Sequence, residues 1–106
     1  DSTHIIRPQG DVLFEYQEII PQLNPGVFVH IHDIFTPKDY PHTWLANKVL
    51  FWNEQYLLET LVANSSRYEI VCALNYLKHH HFDELKLRCP YITKQDEPGA
   101  FYFKVN

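Results

Sequence analysis

Hydrophobic and polar residues follow two rhythms along this chain. Between positions 11 and 23 the apolar residues Val12, Leu13, Tyr16, Ile19, Ile20 and Leu23 recur at i, i+3, i+4 and i+7, the period of a helix with one buried face. Asp11 precedes them as an N-cap, and Pro21, which has no N–H to donate, strains or ends the helix. Asn24-Pro25-Gly26 is a turn, and residues 27–32 form a β-rich run bounded by turn signals, read as a buried strand. Residues 36–43 hold Pro37 and Pro41 and read as an ordered loop over the strand's end. The longest helix is expected from about Trp44 or Asn47 to Asn64, with Leu50, Leu57, Leu58, Leu61 and Val62 as its apolar stripe. Residues 68–74 predict a second strand, 75–81 a turn or short helix, 82–89 another, 90–98 a loop and 99–105 a third strand.

The order helix, strand, helix, strand, strand fits part of a doubly wound α/β sheet within a single domain spanning 1–106. Helices of such a fold normally cover both faces of the sheet. The amino-terminal edge of this piece is therefore expected to expose apolar surface unless a partner covers it.

Composition narrows the function classes. Hydrophobic residues make up 45% of the 106 positions, enough for a core, and the formal net charge is -4. The basic residues are scattered, which argues against a nucleic-acid partner. No apolar run approaches a membrane span, so no membrane partner is expected either. Cys72 and Cys89 make no disulfide framework and point to a reduced, cytoplasmic setting, with Cys72 as a buried small hydrophobe. There is no Met, and the opening Asp1-Ser2-Thr3-His4 reads as a strand-end loop, so the expectation is a fragment of a longer protein.

Several segments together resemble a family. They are Asp1-Ser2-Thr3-His4, Gly10-Asp11, Leu23-Asn24-Pro25-Gly26-Val27, His30-Ile31-His32-Asp33-Ile34-Phe35, Tyr40-Pro41 and Trp52-Asn53-Glu54-Gln55-Tyr56-Leu57-Leu58. They are similar to the carboxyl-terminal half of class I S-adenosylmethionine-dependent methyltransferases, in the branch acting on small molecules and sugars. The resemblance implies a partial Rossmann-like methyltransferase sheet made of its last three strands with flanking helices. Residues 27–32 would be the fifth strand, 68–74 the sixth, and 100–105 the seventh, inserted antiparallel between them. It also implies methyl transfer from S-adenosylmethionine to a small-molecule hydroxyl. The Gly-rich loop that binds this cofactor belongs to the amino-terminal half, and the three glycines here, Gly10, Gly26 and Gly99, do not supply it. The fragment alone is therefore expected to be inactive.

On this mapping Asp1 and His4 follow one strand and His32 and Asp33 follow its neighbour. Parallel neighbours lie about 4.8 Å apart, so the four side chains can converge at the carboxyl edge of the sheet. The resemblance implies a metal held by Asp1 and Asp33, with Mg or Mn suiting oxygen ligands. His4, His32 and Asp33 would be the catalytic residues, activating the acceptor. Tyr40 and Trp44, on the loop over the strand end, would touch the acceptor.

Bland readings stand beside each of these. An Asp at a strand end also caps turns, and a His there also packs neutral. His30 is expected to be a buried, hydrogen-bonded histidine. His79-His80-His81 reads as a solvated turn, Trp52 and Tyr56 as core, and Glu54 and Gln55 by default as a solvent face, with a pocket as the alternative. An alternative of another class is a non-catalytic module that associates with itself or a partner through an exposed sheet edge. A small metal-binding protein using the histidines is a weaker third reading.

Overall fold

A computed structural model describes residues 2–106; Asp1, expected as a metal ligand, lies outside the described residues. The chain folds as an α/β domain around a three-stranded sheet of β1 (Phe28–Ile31), β2 (Tyr68–Ala73) and β3 (Phe101–Val105). The spatial order is β1-β3-β2, and β3 runs antiparallel to both neighbours. Val29 pairs with Phe103 and Ile31 with Phe101 on one side, and Tyr68 pairs with Val105 on the other. An extra residue between Ile70 and Cys72 forms a bulge in β2.

The strands follow the sequence pattern because alternation puts Phe101, Phe103 and Val105 on one face, where all three are buried. That face is covered by two helical segments. The first is α1 (Asp11–Phe14), which continues through a π-helical turn (Glu15–Ile19) and a 3-10 turn (Ile20–Gln22). The second is α3 (Glu54–Ala63). Val12, Tyr16, Ile20 and Leu58 meet Ile34, Tyr68 and the three β3 residues in a single core. Gly26 closes the turn before β1 at a φ of 93°, a backbone conformation that costs glycine little. Two short helices, α4 (Leu74–His80) and α5 (Phe82–Arg88), follow β2 directly.

Three local expectations are corrected. The N-cap of α1 is Gly10, because Asp11 is already helical and turns its carboxylate to Thr3 N and Oγ1 at 2.9 and 2.6 Å. The long helix from 44 or 47 is two pieces, α2 (His42–Ala46) and α3, separated by an irregular stretch in which Val49 has a φ of 53°. A β-branched residue in the left-handed region does not continue a helix. His30 is exposed on the far face of the sheet, stacked on Tyr102 with centroids 4.5 Å apart, because Val29 and Ile31 take the core face.

No helix among the described residues is long and apolar enough to cross a membrane. At the amino-terminal side, Phe28 remains 63% exposed and Phe14 58%. Among the described residues β1 pairs only with β3, so its other edge is open.

Candidate functional site

The segment 2–6 is tied to the start of α3. His4 O accepts Asn53 N and Glu54 N at 3.1 and 3.2 Å, and Asn53 Oδ1 accepts Ile6 N at 2.5 Å. This strap brings His4, 4% exposed, against Glu54, 1% exposed, the first residue of α3. His4 Nδ1 and Glu54 Oε2 are 2.6 Å apart. Ser2 Oγ donates to the same carboxylate oxygen, and Tyr16 Oη donates to Oε1, each at 3.2 Å. Burial, then the Glu54 charge, pushes the Tyr16 phenol far above its ordinary range, so it stays a donor. Glu54 thus orients the His4 ring through Nδ1, its carboxylate held in turn by Ser2 and Tyr16.

The other nitrogen of His4 faces the residues that follow β1. His4 Nε2 is 3.5 Å from Asp33 Oδ2, and His32 Nδ1 is 2.8 Å from the same oxygen. One donor atom from each of His4, His32 and Asp33 lies within 4.8 Å of the others. The rings of His4 and His32 meet edge to face at 4.9 Å, and Trp52 packs on His4 at 4.4 Å. His4 and Asp33 both adopt left-handed backbone, at φ 59° and 61°. Such conformations are tolerated by Asp more readily than by most residues, and they collect at functional sites.

A cleft of about 330 Å³ opens between the first helical segment and β1. Ser2, His4, Tyr16, Glu54 and His32 line its polar end, and Ile19, Ile20, Leu23, Val29 and Ile31 its apolar walls. Apolar walls with a few converging polar groups are the usual make-up of a small-molecule site. Glu15 also lines the cleft, and burial, then the Glu54 charge, raises its carboxyl above the ordinary value.

Of the residues expected at a site, His4, His32 and Asp33 come together. Tyr40 and Trp44 sit apart from the cleft. Tyr40 is buried and its hydroxyl accepts Gln55 N at 2.9 Å; burial raises that phenol to about 12. It lines a second cavity of about 470 Å³ with Phe35, Asn75 and Glu97. Trp44 meets Trp52 edge to face at 5.1 Å, so it reaches His4 through one intervening ring.

Glu54 and Gln55 do not form a solvent face: each is 1% exposed. Gln55 Oε1 accepts Phe35 N at 2.6 Å and its Nε2 donates to Lys38 O at 2.7 Å, which ties the loop after β1 to α3. Glu54, for which a pocket was the alternative to a solvent face, and Tyr16, expected on the apolar face of the first helix, are the further residues of the site. The signal for Glu54 was Asn53, a residue type that begins helices, which places Glu54 in a first turn rather than mid-helix. Tyr56, expected in the core, is 46% exposed and donates its hydroxyl to Asp39. Cys72 is half-buried, with burial raising its thiol pKa, and both cysteines are free. His79, His80 and His81 are exposed at the end of α4, and His79 pairs with Glu97 at 2.9 Å.

Comparison with known proteins gives no match to this chain among family models, curated proteins or solved structures.

Proposed function

We propose that this chain is the acceptor-side part of a methyltransferase that moves a methyl group from S-adenosylmethionine to a hydroxyl of a small molecule such as a sugar. The observation that carries the reading is the convergence of His4, His32 and Asp33 at the carboxyl end of β1, where His4 and His32 also line a cleft. Ligands of open α/β sheets bind at that end of the strands. The order β1-β3-β2, with β3 antiparallel, supports the Rossmann-like reading, because it is the arrangement the resemblance implies for the last three strands.

In this reading the acceptor lies in the cleft with its hydroxyl at the His4–Asp33 end. His4 Nε2 and Asp33 Oδ2, 3.5 Å apart, are the two groups there positioned to take the proton from the hydroxyl. Glu54 holds His4 in the required orientation. Trp52 covers the imidazole face and excludes water from one side.

The donor set also fits a divalent ion, which His4, His32 and Asp33 would hold. When bound, such an ion lowers the pKa of a hydroxyl coordinated to it. S-adenosylmethionine would be held mainly by an amino-terminal half that lies outside this sequence.

The test is calorimetry of S-adenosylmethionine and its demethylated product on residues 1–106 and on a longer polypeptide carrying them. Binding to the longer chain alone supports the reading. Binding to neither overturns it and favours the second reading, a module that associates through a sheet edge. The open edge of β1 beside exposed Phe28 favours that second reading. A mass by light scattering that rises with concentration, and that Phe28→Lys returns to the monomer, would support it.

A further inference from the structure

We infer that His4, His32 and Asp33 form a two-histidine, one-carboxylate site for a divalent ion of the later first-row transition series, and that this site discriminates against magnesium. The inference rests on reading the cluster as the reactive end of the cleft, and it adds the identity class of the ion.

The first support is convergence: a donor atom of each residue lies within 4.8 Å of the other two. Ligands each about 2.0–2.2 Å from one ion lie no more than about 4.4 Å apart, so a shift of a few tenths of an ångström brings the three atoms into range. The second support is independent and lies outside the donor set. His4 Nδ1 is bound by the buried Glu54 carboxylate at 2.6 Å, and Tyr16 and Ser2 hold that carboxylate in turn. A ligating histidine characteristically gives its second nitrogen to such a carboxylate, which fixes the ring and raises its basicity as a ligand. The third is backbone: His4 and Asp33 both occupy the left-handed region. The fold maintains two sparsely populated conformations at the residues whose side chains meet.

The donor types decide the ion. Imidazole nitrogens suit iron, nickel, copper and zinc, and two histidines with one carboxylate is a ligand set used for ferrous ion. Magnesium dehydrates reluctantly and takes oxygen ligands, so two imidazoles are a poor exchange for its water shell. The Asp1–Asp33 pair implied by the family resemblance would suit magnesium; the described donors do not. The histidine run 79–81 is no rival among the described residues, since it gathers no third ligand.

The test uses Co(II) as a visible-absorption probe of the folded chain, with Zn(II) and Mg(II) as competitors, alongside titration calorimetry. The expected result is one equivalent of bound Co(II), displaced by Zn(II) and left in place by about a hundredfold excess of Mg(II). His32→Ala and Asp33→Asn should each weaken binding at least about tenfold, and Glu54→Gln about 10–100-fold. Asn tolerates left-handed backbone, so Asp33→Asn changes the ligand and spares the fold. A variant with His80→Ala and His81→Ala should bind as the parent does. The inference is overturned if the folded chain takes up neither Co(II) nor Zn(II), if Mg(II) displaces Co(II) at equal concentration, or if binding survives both His32→Ala and Asp33→Asn.

The two readings fail separately. Methyl transfer that persists undiminished in a chelator removes the ion and keeps the reaction. Ion uptake by a longer chain that binds no S-adenosylmethionine keeps the ion and removes the reaction.

Discussion

Gly99 lies against the backbone of Asp33. A Cβ at Gly99 would stand 2.9 Å from Asp33 Cα and 3.0 Å from its nitrogen, and Gly99 O accepts Ile34 N at 2.9 Å. The residue that leads into β3 therefore seats the aspartate that follows β1. Backbone cannot swing aside as a flexible side chain does, so Gly99→Ala must displace Asp33. The expected outcome is a loss of about 1–3 kcal/mol in urea unfolding, with Co(II) binding weakened in the same variant. Unchanged stability and unchanged binding would show that Gly99 does not seat Asp33.

Tyr16→Phe removes one donor from the buried Glu54 carboxylate and changes little else in shape. It should cost about 1.5–3 kcal/mol, the scale for a hydrogen bond to a charged group, because Glu54 Oε1 is left without that donor in the core. Thermal unfolding followed by far-ultraviolet circular dichroism measures it. A midpoint equal to that of the parent would mean that water replaces the phenol.

Gln55→Leu has nearly the same volume and abolishes both side-chain hydrogen bonds to the loop after β1. Phe35 N, buried, loses its acceptor, and the cost should be about 1–3 kcal/mol. Amide hydrogen exchange at Phe35 and across residues 36–40 should speed up more than exchange in β3. A uniform change across the domain would instead mark a global effect.

Glu97 gives the domain an acid-sensitive clasp. Its partial burial alone would raise its pKa, but hydrogen bonds from His79 and Asn75 and the charges of His79 and Lys38 outweigh that and hold it at about 2. Its ordinary value is 4.5, so the folded state binds this proton less readily than the unfolded state. The contribution is complete above about pH 4.5 and disappears as the pH falls towards about 2. Urea midpoints across that window should fall less steeply for Glu97→Gln than for the parent. Parallel acid arms would assign the sensitivity to other carboxylates.

The strands were legible in the sequence because turn residues bracket each β-rich run, and an edge or central strand shows the same composition. His32 and Asp33 were legible because they end such a run. The partners of His4 were not. Glu54 and Gln55 have the composition of a solvent face, and their burial depends on where α3 begins. That start is set by the left-handed Val49 and by the strap from His4 O to Asn53 N and Glu54 N, contacts spanning some fifty positions. His30 was misplaced for a simpler reason: strand composition does not say which face is buried, and the core side of β1 belongs to Val29 and Ile31. The α/β class was legible from element order, whereas the antiparallel sense of β3 came only from the family resemblance.

Because β3 lies between β1 and β2, neither outer strand has another neighbour among the described residues, and these three strands join only once residues 101–105 are available. Phe28 waits for Lys104, and Tyr68 for Val105. On a translating ribosome these three strands join one another in one late event, and until then the β3-facing edges of β1 and β2 are uncovered together. A nascent chain stalled before residue 101 should therefore bind holdase chaperones strongly and release them once β3 has emerged.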